Sequence, residues 1–236
     1  MATSGICQPV YSDTLEVRIN PRPVAILSGG ATICPGDSAV LKVSMPVGVP
    51  PYDLVINNYG AISDYRSEDT IWVKPLVTTT YTLQSVADSN SCAITGPPNM
   101  MGSATVTVRD LAAITLDPVD AITCEYGMVT FEVGASGSDL LYQWYVDEGG
   151  GFTAISDGGI YFGANTSKLY LFGTTRDMDG YLYHAEVMTC SVPVTSADAL
   201  LTVNTNPEII HQPQDTTICS GDGAEFRITA TGTGLT

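Results

Sequence analysis

The chain has 236 residues and carries 25 Asp and Glu against 9 Lys and Arg, a formal net charge of −16. So acidic a balance argues against nucleic acid or an anionic membrane as a partner, since both call for a basic surface. With 14% charged and 44% hydrophobic residues, the chain is not an acidic disordered tail and is expected to fold. No apolar run of about 18 residues occurs, so no membrane insertion is expected. Residues 1–20 lack the basic start and apolar core of a signal peptide. Thr, Ser, Gly and Val are abundant, which suits short strands joined by tight turns.

In chain order, Leu15, Val17 and Ile19 alternate with charged residues, so 1–20 reads as the closing strand of a truncated unit. Asn20-Pro21-Arg22-Pro23 follows as a stiff linker, because proline fixes φ and donates no ladder hydrogen bond. A first complete domain is expected over 21–110, with strands at Ala39–Val43, Tyr81–Leu83 and Ala104–Val108. Asp110-Leu111-Ala112-Ala113 joins it, without glycine, to a second complete domain over 111–204. There Val129–Val133, Leu141–Val146 and Lys168–Phe172 read as strands, and Gly149-Gly150-Gly151 as a turn tolerant of positive φ. After Asn204–Pro207, residues 205–236 read as the opening strands of another truncated unit. Linkers this short favour a semi-rigid rod.

The six cysteines mark the repeat. Ile33-Cys34-Pro35-Gly36-Asp37, Thr123-Cys124-Glu125-Tyr126-Gly127 and Ile218-Cys219-Ser220-Gly221-Asp222 share one context, early in each unit. Cys7, Cys92 and Cys190 each precede a short alternating strand, late in each unit. Early cysteines are spaced by 90 and 95 residues and late ones by 85 and 98, the size of a small β-sandwich. Pairing each early cysteine with the next late one predicts one bridge per domain, Cys34–Cys92 and Cys124–Cys190. Cys7 and Cys219 are then unpaired in this segment. Such usage implies an oxidising, extracellular location.

Tyr142-Gln143-Trp144, eleven positions after Val133, resembles the third strand of an immunoglobulin-type domain, and Met178–Ala185 resembles that family's tyrosine-corner stretch. The resemblance implies tandem all-β immunoglobulin-like sandwiches with Trp144 and Tyr183 in the core. It also implies that Tyr183 bonds back to the chain upstream, and that Val133 and Ala185 stand where the family has its core cysteines. In the first domain, Leu54 takes the tryptophan position and Tyr81 that of Tyr183. The Ile-Cys-x-Gly-Asp openings, Thr-rich Tyr81-Thr82-Leu83 strand and Gly102–Val108 closing resemble repeats of large cell-surface adhesins of gliding Bacteroidetes-type bacteria. That resemblance implies export by type IX secretion, a bacterial cell-surface location and a place in a filament.

Little in the sequence points to chemistry. His184 alternates with Tyr183 and Ala185 and is expected to face solvent, and His211 lies beside a domain junction. No phosphate loop, nucleophile elbow or metalloprotease motif occurs, so no catalytic role and no cofactor are expected. Asp110, Asp117 and Asp120 are weak calcium candidates, lacking an Asp-x-Asp-x-Asp-Gly run. Asp followed by Ser or Thr resembles the O-glycosylation sequon of Bacteroidetes-type exported proteins, which would place glycans on Thr14, Ser38, Thr70 and Thr216. Asp-Ser/Thr as a turn cap before a strand is the alternative. Tyr145, Tyr161 and Phe162 could make a sugar-binding face. The expected role is a non-catalytic stalk in a large secreted surface adhesin, its partners being neighbouring domains of the same chain and surface glycans or proteins. The alternative is a carbohydrate- or protein-binding module that makes the adhesive contact itself.

Overall fold

The computed structural model describes residues 13–235. The chain divides after Val108 into two compact units, and both are β-sandwiches.

In the first, β1 (Val24–Gly29), β2 (Thr32–Ile33), β3 (Ala39–Val47), β4 (Tyr52–Ile56) and β5 (Gly60–Tyr65) are followed by β6 (Ile71–Val73), β7 (Thr79–Asp88), β8 (Ala93–Ile94), β9 (Met100–Met101) and β10 (Ser103–Val108). One sheet runs β6-β3-β1-β9; the facing one runs β2-β10-β7-β4-β5, with β8 against β7. Strands alternate buried and exposed residues, as in β10, because successive side chains leave opposite faces. Two glycines let the chain change sheets. Gly30 has φ 111° and lies so close to the Thr105 carbonyl that a Cβ would sit 2.5 Å from it; Gly102 has φ 84° and packs as tightly on the Leu27 carbonyl. Only glycine fits a positive φ under a neighbouring backbone at that distance. The core joins Leu41, Val43, Leu54, Ile56, Tyr81, Val86 and Val106. Buried Tyr65 clamps it: its hydroxyl accepts from Val43 N–H at 2.8 Å and lies 3.0 Å from the carbonyls of Val43 and Asp69.

The second unit contains β11 (Ala113–Leu116), β12 (Ala121–Cys124), β13 (Met128–Glu132), β14 (Gly134–Ser136), β15 (Leu141–Asp147) and β16 (Phe152–Ala154). Then come β17 (Tyr161–Phe162), β18 (Lys168–Phe172), a 3-10 turn (Arg176–Met178), β19 (Leu182–Thr189), β20 (Val192–Thr195) and β21 (Ala199–Asn204). One sheet runs β12-β21-β19-β15-β16, with β20 against β19; β13-β18-β17 and the pair β11–β14 lie opposite. Trp144, Tyr183, Val133 and Ala185 are all buried in one cluster with Phe131. Trp144 and Ala185 are cross-strand partners, so the small alanine leaves room for the indole. The Trp144 Nε1–H donates to the Thr166 carbonyl at 2.9 Å, and Phe131 stacks on Tyr183 at 4.7 Å. The Tyr183 hydroxyl meets that of Tyr161 at 3.3 Å, a side-chain partner where the tyrosine-corner resemblance implied backbone.

Beyond the sandwiches, residues 13–23 form no strand, and Leu15, Val17 and Ile19 are exposed. Alternation alone does not make a strand when no neighbour takes its ladder hydrogen bonds. Near the other end, β22 (Glu208–His211) pairs with β23 (Thr229–Thr231), and His211 is exposed.

Candidate functional site

The first sandwich carries an open depression of about 510 Å³ lined by Asn58, Tyr59, Trp72, Val73, Lys74, Pro75, Thr79 and Tyr81. Its residues follow from strand parity. In β6, Ile71 and Val73 are buried, so Trp72 between them points outward, opposite Val40 of β3. Trp72 is 61% exposed, although tryptophan ordinarily buries most of its surface. Tyr59 sits on the β4–β5 turn, where its N–H bonds the Ile56 carbonyl and Asn58 takes φ 65°. The Asn58 side-chain amide donates to the Thr80 carbonyl at 2.9 Å, which fixes the turn against β7. Lys74 stands beside the indole as one of 9 basic residues in a chain of net charge −16. The site thus offers two exposed aromatic faces, an amide, a hydroxyl and an ammonium around one hollow, the mixture that small-molecule sites use. Buried Tyr81 closes the inner side, and burial pushes its phenol up from the usual tyrosine range.

Trp72 and Tyr59 were not among the residues singled out from sequence. The Ile71-Trp72-Val73 alternation contains the signal, because two flanking β-branched residues facing inward send the tryptophan out.

The aromatics named from sequence do not converge. Tyr161 turns inward to Tyr183, and burial raises its phenol pKa. Phe162 is exposed and lies 6.5 Å from Tyr170. Half-buried Tyr145 donates to Glu186 Oε2 at 3.0 Å, and that hydrogen bond to an anion raises its pKa. His184, expected in solvent, is buried. It does leave the outer face of its sheet, but Phe152 covers its ring at 3.9 Å, Tyr145 flanks it, and Nδ1 meets Asp198 Oδ1 at 3.0 Å. Alternation assigns a face and says nothing of what neighbouring strands lay over it.

The calcium candidates are occupied separately. Asp117 Oδ1 accepts from Ala197 N–H and Asp120 Oδ1 from Leu200 N–H, both at 2.8 Å. Asp110 engages Ser138 through its backbone. Among the described residues no three His, Cys, Asp or Glu side chains are grouped to hold a metal. Thr14, Ser38, Thr70 and Thr216 are all exposed.

The expected bridges do not form. Cys92 and Cys124 carry free thiols, as does Cys219, whereas Cys34 and Cys190 are disulfide-bonded. Cys7 lies outside the described residues. The reason is distance within each sandwich. Cys34 follows Ile33, which pairs with Val108 at the end of β10, beside the start of β7. Cys92 lies past the end of β7. Ten residues of β7 separate the two, roughly 30 Å at about 3.4 Å per residue, where a disulfide needs Cα atoms within about 7 Å. In the second sandwich Cys124 pairs with Asn204 at the end of β21, which runs beside the start of β19, and Cys190 follows its end. Sequence spacing gives a loop length and cannot say which end of a sandwich a residue occupies.

No family model and no curated protein matches the chain. Among solved structures, it is similar to the I67–I69 fragment of the titin I-band at 16% identity and TM-score 0.52, covering 89% of this chain and 74% of that one. An E-to-A variant of the same three domains gives TM-score 0.51 at the same identity and coverage. Extracellular domains 3–5 of Drosophila OTK give TM-score 0.41 at 16% identity over 80% of this chain and 62% of that one. Both sandwiches have the immunoglobulin-like fold. Among the described residues no helix is long and apolar enough to cross a membrane.

Proposed function

We propose that this chain is a carbohydrate-binding immunoglobulin-like module of a larger multidomain protein, and that the Trp72 hollow makes the contact. The observation that carries this reading is the exposure of Trp72 beside Tyr59 over a recess of about 510 Å³. A sugar ring presents an apolar C–H face that lies on an indole, and hydroxyls that pair with the Asn58 amide, the Thr79 hydroxyl and the Lys74 ammonium. Trp and Tyr suit such a contact because one side chain supplies both apolar area and a polar edge. A glycan array probed with the wild-type chain and with Trp72→Ala tests it. Binding lost in the variant supports the reading, and no glycan bound by wild type overturns it.

A second role, as repeat in the stalk of a secreted bacterial surface adhesin, is favoured by the recurrence of one cysteine turn. Cys34, Cys124 and Cys219 each accept, through their carbonyl, the N–H three residues on, at 3.0 to 3.1 Å. Immuno-electron microscopy of intact cells tests this: surface filaments support it, and label confined within the cell contradicts it. On the same reading Thr14, Ser38, Thr70 and Thr216 carry O-glycans. An unmodified intact mass for protein from its native source removes that claim.

A further inference from the structure

On one face of the second sandwich the outward residues are as apolar as the inward ones. Val129 and Phe131 of β13 and Leu169 and Leu171 of β18 point inward and are buried in the core. An antiparallel sheet with one face in water ordinarily turns polar residues outward. Here the outward set includes Met128 on β13, Tyr170 and Phe172 on β18, and Phe162 on β17. Phe162 is 61% exposed, Phe172 51% and Met128 62%. Core packing does not account for them, because the alternate residues of the same strands already close the core.

Strand register gathers these four side chains. Phe162 stands opposite Tyr170 on one side of β18, and Met128 stands opposite Phe172 on the other. Ring centroids are 6.5 Å apart from Phe162 to Tyr170 and 6.4 Å from Tyr170 to Phe172. The Tyr170 and Phe172 planes lie at 16° to each other, so both rings present nearly the same aspect to solvent. The result is a stepped apolar platform across the three-stranded sheet β13-β18-β17. Thr130 brings a hydroxyl beside Tyr170, and Lys168 pairs with Glu132 at 3.1 Å. The platform's charged border is therefore neutral.

We propose that this platform binds the surface of an insoluble, uncharged polysaccharide, independently of the Trp72 hollow. Charge, edge length and openness select that occupant. A net charge of −16 repels a second copy of the chain and acidic polymers alike, and leaves an uncharged partner free to approach. The edge strand β17 has only two residues, too few ladder groups to take an added peptide strand. With half or more of Phe162, Phe172 and Met128 open to water, the face cannot enclose a small free ligand as pockets do. It offers area instead to a partner that is itself flat. Packed sugar chains turn apolar C–H faces outward, and aromatic rings meet them with rigid, amphipathic area. Each contact is weak, and many made along one surface add up.

Sedimentation of the 236-residue chain with microcrystalline cellulose and with chitin tests the platform. Wild type is expected in the pellet with at least one of the two. A variant carrying Phe162→Ser, Tyr170→Ser and Phe172→Ser should be retained about tenfold less, the loss of three aromatic contacts, with its urea midpoint unchanged. Should that variant fail to fold, Phe162→Ser alone, at the edge of the sheet, is expected to weaken retention. Trp72→Ala should lose soluble glycans and still sediment, so the two sites fail separately. Wild type left in the supernatant by both polysaccharides, equal retention of the ring variants, or retention lost only in Trp72→Ala overturns the proposal. A wild-type dimer that the ring variants return to monomer identifies a second copy as the occupant and overturns it too.

Discussion

The chain's two tryptophans, one in each sandwich, occupy opposite sides of the same fold. Trp144 is fully buried between the sheets, and Trp72 is 61% exposed on an outer face. Trp144 stands across from Ala185 on the inner face of β15 and β19, so its burial stabilises the second domain. Trp72 lies between two inward residues of a three-residue edge strand, and the first core closes without it around Leu54 and Tyr65. One residue type therefore serves packing in one domain and is left available for contact in the other, and strand parity decides which.

Truncating each tryptophan should separate these roles. Trp144→Ala is expected to destabilise the second sandwich by about 3–5 kcal/mol, the range for large-to-small core changes, read from urea unfolding. Next in size, Tyr65→Phe leaves the buried Val43 N–H without its acceptor and should lower first-domain stability by about 1–3 kcal/mol. Tyr183→Phe removes only a hydroxyl–hydroxyl contact of 3.3 Å, and roughly 0.5–1.5 kcal/mol is expected in the same measurement. Trp72→Ala should move the unfolding midpoint by no more than a surface substitution does, about 0.5 kcal/mol, while abolishing glycan binding. Equal destabilisation by the two tryptophan variants would dissolve the comparison.

The smallest effect expected is a local one. Asp147 accepts from Gly151 N–H at 2.8 Å and Gly149 N–H at 2.7 Å. These amides, Gly151 foremost, hold its carboxyl below the usual carboxylate range. A depressed folded pKa stabilises the turn above the unfolded value, and that contribution is lost as pH falls through the folded value. The protection of the Gly149 and Gly151 amides, taken relative to the intrinsic exchange rate at each pH, should therefore fall on acidification below the carboxylate range, with Trp144 still buried. Unchanged protection would show that the three glycines hold the turn without Asp147.

Much of this architecture was legible in the sequence, because alternation in segments such as Val129–Val133 and Lys168–Phe172 records which face meets the core. Trp144 was legible through its neighbours Tyr142 and Gln143. What escaped depended on the third dimension. Trp72 sits in a strand too short to display a period, and its recess is assembled from the β4–β5 turn and the segment after β6, about fifteen residues apart in sequence. Alternation gives the face of His184 and misses its burial, since Phe152 reaches over it from β16, two strands away in the sheet. The cysteine repeat was visible, yet its pairing turned on which end of a sandwich each residue reaches, and loop length carries no such information.

The two indole N–H groups give the most direct measurement. A ¹⁵N-labelled chain should show two indole cross-peaks, one for each tryptophan. The Trp144 peak should be protected from exchange by its hydrogen bond to Thr166, and the Trp72 peak should exchange readily. Titration with oligosaccharide mixtures should shift the Trp72 peak and leave the Trp144 peak in place. A titration in which neither peak moves, or in which only Trp144 responds, would contradict the assignment of the Trp72 hollow as a carbohydrate site.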